Sequence, residues 1–144
     1  MKTFKMNIFN IILGIIVAWL LAFIIKNNVN LNFNDVSLRF NLIATDSVIV
    51  GFLYAALGIL LTGLEKPRVK RLDKHYYLDD YFNGLYISII LLIVSIVLSL
   101  MIAIGALKNR LFYQLELWSM LSGILFFLKV VFSSIDLMNK IRKD

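Results

Sequence analysis

Residues 84–107 read GLYISIILLIVSIVLSLMIAIGAL, 24 positions without one charged side chain. As a helix this stretch would rise about 36 Å at 1.5 Å per residue, enough to cross a hydrocarbon core roughly 30 Å thick. It shows none of the strict polar–apolar alternation of a barrel strand. In lipid a chain must satisfy its backbone internally, and a helix does so within one segment. The stretch is therefore expected to be a transmembrane helix.

Three further stretches meet the same test. Residues 6–25 are uncharged, residues 42–64 carry only Asp46, and residues 111–135 carry Glu116 and Lys129. Lys2 and Lys5 before the first stretch resemble a signal n-region. Its length exceeds the usual 7–15-residue signal core and no small-residue cleavage site follows, so a retained helix is expected. The reading is an all-α integral membrane protein: one domain over 1–144, a four-helix bundle with spans at 7–25, 42–64, 84–107 and 111–135.

Composition agrees. Of 144 residues 60% are hydrophobic, against about 45–50% in soluble proteins. Fifteen Lys/Arg stand against nine Asp/Glu, a formal charge of +6, but no basic stripe is free of acids or apolar spans, so nucleic acid is not an expected partner. Cysteine is absent, which excludes thiolate chemistry and zinc–sulfur sites. Ten Lys/Arg fall in the two tails and the 65–83 loop, and four in the 26–41 loop and the 108–110 turn. By the positive-inside rule both termini are expected in the cytoplasm, their cations on anionic headgroups of a cell membrane. Richness in Asn, Lys and Ile is that of an AT-rich bacterial genome.

Two loops have patterns of their own. Val29, Leu31 and Phe33 alternate with Asn, and Val36, Leu38 and Phe40 alternate in the opposite phase across Asn34-Asp35. Asn and Asp suit a tight turn, so the pattern predicts an extracytoplasmic β-hairpin over 29–40, with Arg39 on its polar face. After Pro67, the spacing of Val69, Leu72 and Tyr76 opposite four cations predicts a cytoplasmic interfacial helix over 68–82. Tyr76, Tyr77, Tyr81 and Phe82 would form an aromatic belt at its end.

Helices in lipid associate through small residues and buried hydrogen bonds. Each span has such a stripe: Gly14 and Ala18 in the first, Gly51, Ala55 and Gly58 in the second, Ser88, Ser95 and Ser99 in the third, and Glu116, Ser119 and Gly123 in the fourth. Gly14, Gly51, Gly58, Ser88, Ser95 and Gly123 are thus expected helix-packing positions.

Charges within spans are the default functional candidates. Asp46 and Glu116 lie at similar depths from the outer side, where two carboxylates could form a cation-favouring vestibule or share a proton. Alternatively each pairs with Arg39, Lys108 or Arg110, or Asp46 caps a helix within Thr45-Asp46-Ser47. Ser119 shares the face of Glu116. Lys129 lies about 140° away on the helical wheel and is expected to snorkel or to pair with Glu65, Asp79 or Asp80. Asp79-Asp80 lacks the third acid and the second cluster of a diphosphate-binding motif, and His75, the single histidine, has no partner at metal or triad spacing. No cofactor and no catalysis are expected. The functional expectation is a homo-oligomeric assembly that forms or gates an ion pathway or perturbs the membrane, as a bacterial defence effector would. The alternative is a non-conducting interaction protein, such as an immunity or accessory subunit of a membrane partner. A transporter is disfavoured by unbroken helices without an inverted repeat.

Overall fold

The computed structural model describes residues 2–28, 35–63, 77–107 and 109–143. Within them the chain forms four helices: α1 (Lys2–Asn28), α2 (Val36–Gly63), α3 (Tyr77–Ala103) and α4 (Arg110–Lys143). Three are long and apolar enough to cross a bilayer, over Val36–Thr62, Tyr81–Ala103 and Arg110–Asp136, and α1 contributes the shorter apolar stretch Ile11–Asn27. These are the helices of a membrane protein.

The helix ends explain where the chain turns. Gly105, at a φ of 75°, closes α3. Its N–H donates to the Ile102 carbonyl at 3.0 Å, and Ala106 N–H donates to Met101 at 3.0 Å, the paired bonds of a Schellman cap. Asn109 then caps α4, its Oδ1 accepting from Leu111 N–H at 3.2 Å. The two caps fold α3 and α4 into a tight antiparallel hairpin, whose connection marks the turn end of the molecule.

The expected β-hairpin over 29–40 is corrected by α2. Its second arm, residues 36–40, is helical, and no strand occurs among the described residues. The first arm, 29–33, lies outside them. The tract that reads as a turn holds a helix cap instead: Asp35 Oδ1 accepts from Ser37 N–H at 2.9 Å, and Arg39 N–H donates to the Asp35 carbonyl at 3.3 Å. From a capped end a helix adds one bond per residue fixed, whereas an isolated two-stranded hairpin is marginal. Of the interfacial helix expected over 68–82, residues 68–76 lie outside the described residues and 77–82 are the first turns of α3.

The α3–α4 hairpin is the centre of the bundle. α2 packs chiefly on α3 and α1 chiefly on α4. The buried face of α1 is Ala18 and Ala22, one turn apart, and Trp19 meets Trp118 of α4 edge-on at 6.1 Å. Away from the turn end, Leu53 of α2, Tyr81, Leu85, Ile89 and Leu92 of α3 and Val130 of α4 form an apolar core. Toward the turn end the interior is polar. Arg39, Asp46, Ser95, Ser99, Glu116 and Ser119 are buried there, while Phe52, Ile59, Ile90 and Phe132 face outward. Charges inside and large apolar side chains outside suit hydrocarbon surroundings.

Candidate functional site

The polar half of the interior is built by three helices. On α2, Arg39 and Asp46 are seven residues apart and share a face, about 5 and 15 Å along the helix from Val36 at 1.5 Å per residue. On α3, Ser99 and Ser95 lie one turn apart near the end of the helix. On α4, Tyr113, Glu116 and Ser119 recur at every third residue. Antiparallel packing brings the three sets to one level.

Glu116 is fully buried (0% exposed) and both its oxygens are engaged. The Arg39 guanidinium donates through Nη1 to Glu116 Oε2, forming a salt bridge. The Ser99 hydroxyl donates to Glu116 Oε1. Arg39, itself 2% exposed, also lies over the Tyr113 ring at 5.0 Å from its centroid, a cation–π contact. α2, α3 and α4 are thus tied at one carboxylate.

Asp46 is different. It is also fully buried, yet neither carboxylate oxygen has a hydrogen-bond partner. The Ser95 hydroxyl, likewise buried without a bond, faces it across the α2–α3 seam, and the charge of Glu116 is close enough to act on it. Among the described residues one guanidinium stands near the two acids, and it is paired with Glu116.

The other expected site residues divide. Ser119 is buried near Glu116, but its hydroxyl donates to its own helix, to the Glu116 carbonyl at 2.9 Å. Lys129 is remote from the acids, half-buried beside Leu13, Gly14, Val17, Leu125 and Phe126 in a groove of about 280 Å³ between α1 and α4. Ser88 donates across to the Gly123 carbonyl at 2.8 Å, and a Cβ on Gly123 would stand 2.7 Å from Leu92 Cγ. Gly14 is nearly as tight, at 3.1 Å from Phe126 Cε2. Gly51 and Gly58 meet nothing within 4 Å and face outward.

Pairing of Glu116 with Arg39 is one of the alternatives the sequence offers, but the same sequence pattern places Arg39 on the polar face of a hairpin rather than inside a helix. A signal for it existed: Asp35-Val36-Ser37 is an acceptable helix start, and a helix from there puts Arg39 above Asp46. Tyr113 had no signal beyond its place one turn before Glu116.

Compared with known proteins, the chain matches no family model, and neither a curated protein nor a solved structure resembles it significantly. The site has to carry the functional argument.

Proposed function

We propose that this is a four-span protein of the bacterial cell membrane, both termini cytoplasmic, that works as an assembly of copies forming or gating an ion pathway and catalyses no covalent reaction. The observation that carries the reading is Asp46, a carboxylate closed inside a membrane helix with neither oxygen bonded. An unpaired charge in such a place costs several kcal/mol or more, and intramembrane acids mark ion and proton pathways. The orientation is supported by the cations: with Arg39 inside α2, three Lys/Arg remain on the turn side against ten on the other.

Among the described residues of a single chain there is no continuous polar route. Buried polar side chains run from Arg39 and Ser99 as far as Ser88, and beyond them Leu53, Leu85 and Val130 close the interior. Conduction therefore needs a movement of α2 or an assembly. Glu116 faces into its own chain, so copies of it cannot meet around a shared axis, and its pair with Arg39 is suited to a gate that holds α2 shut.

A second reading, a non-conducting interaction or immunity protein, is favoured by the outward face of α2. Gly51, Ala55 and Gly58 are exposed, and Gly51 and Gly58 leave room for another helix to approach closely.

Reconstitution separates the two. Purified protein in vesicles should pass monovalent cations or protons, and Asp46→Asn, which removes no existing bond, should abolish the flux with assembly size unchanged by native mass spectrometry. Absence of flux in the wild-type assembly would reject the ion pathway and leave the interaction role.

A further inference from the structure

Among the described residues two carboxylates and one guanidinium share the polar half of the interior, and Arg39 is bound to Glu116. That leaves one formal negative charge, on Asp46, to be balanced. The balancing group must be monovalent. It must also be satisfied by few ligands, because the oxygens that face one another unbonded are the two of Asp46 and the Ser95 hydroxyl. A bare metal ion of the sodium or potassium type would need several more oxygens, and the main-chain carbonyls around Asp46 and Ser95 are committed within their helices. A proton needs one.

We propose that Asp46 is an exchangeable proton-binding site, with Ser95 as its hydrogen-bond partner. The step is a simple protonation: hydronium gives its proton to one Asp46 Oδ, the carboxylate becomes a carboxylic acid, and water is released, with no electrons transferred. The new O–H becomes a donor, and the Ser95 oxygen is the acceptor facing it. A small closure of the α2–α3 seam completes that bond. Among the described residues the charged groups nearest Asp46 are Arg39, two turns before it on its own helix toward the turn end, and Glu116 on α4. From α3 the facing groups are the non-ionising Ser95 and Ser99. Because the Arg39–Glu116 pair lies between Asp46 and the turn end, protons exchange with that side when the pair opens.

The proposal deepens the ion-pathway reading by naming its ion, yet its test does not depend on flux. Infrared difference spectra of the full chain in lipid vesicles near neutral pH should contain one carboxylic-acid C=O band that shifts in D2O. Asp46→Asn should remove it. Ser95→Ala should keep the band and move it to higher frequency, as expected when its hydrogen bond is lost, a change that a purely structural Ser95 would not produce. No acid band in the wild type, or one that survives Asp46→Asn, overturns the proposal. A band without proton flux leaves the proton site standing and rejects the ion pathway. Sodium or potassium flux without a band does the reverse.

Discussion

Breaking the Arg39–Glu116 pair from its two sides should have unequal consequences. Glu116→Gln strips the charge from a fully buried site and takes the paired carboxylate away from a guanidinium that is 3% exposed. Arginine cannot shed its proton. The loss should therefore be that of breaking a buried pair, about 3–5 kcal/mol, out of a total on the order of 5–15 kcal/mol. The contact of Arg39 with Tyr113 is present in both forms and does not offset the difference. Arg39→Met keeps most of the side-chain volume and leaves a carboxyl that still accepts from Ser99. Its cost should be nearer the 1–3 kcal/mol of a partly unsatisfied buried group. The double variant removes both charges, so it should be at least about 2 kcal/mol more stable than the sum of the single losses implies, a coupling within the range for residues in one network. Equilibrium unfolding in mixed micelles, followed by helicity and by the fluorescence of the packed Trp19 and Trp118, gives all three values. Additive single effects, or a Glu116→Gln loss below about 1 kcal/mol, would mean that the pair is not a closed interior contact.

Four other outcomes follow from the packing and from the cap of α2. Gly123→Ala should cost about 1–3 kcal/mol, because its Cβ would meet the buried Leu92 at 2.7 Å and strain the Ser88 bond to the Gly123 carbonyl, and the same unfolding titration measures it. Gly51→Ala and Gly58→Ala meet empty space and should each gain about 0.5–1 kcal/mol from helix propensity in the isolated chain. The larger Gly51→Leu should reduce the assembly size in native mass spectrometry if α2 is the contact between copies. Asp35→Ala removes the cap one turn before Arg39 and should cost about 0.5–2 kcal/mol, read as loss of helicity at the start of α2 by hydrogen exchange.

The helices were legible in the sequence because length and continuous apolar character leave lipid few alternatives. The same logic exposed Asp46 and Glu116, since a charge in such a run is conspicuous. Arg39 was among the candidate partners of Glu116, but its burial within a helix was hidden for two physical reasons. Over five residues, Val36, Leu38 and Phe40 fit a strand's alternation, while Val36 and Phe40 equally fit one helix face. And the partner that justifies burying the cation stands 77 residues away, which no local pattern records. Glycine was ambiguous in a similar way. Gly123 and Gly51 look alike at helical spacing, yet one touches Leu92 and the other faces outward, because spacing does not say which face meets a neighbour. Ser99 was easier: once 108–110 is read as a turn, it lies opposite Glu116 across the hairpin.

The absence of native cysteine permits a direct test of the membrane arrangement. Single cysteines at Ala106, at the turn end, and at Asn139, near the end of α4, can be probed in intact cells with a membrane-impermeant maleimide. Ala106→Cys should label from outside, and Asn139→Cys only after the membrane is opened. Labelling of both positions in intact cells, or of Asn139→Cys alone, would contradict a chain that crosses the bilayer with its tails inside.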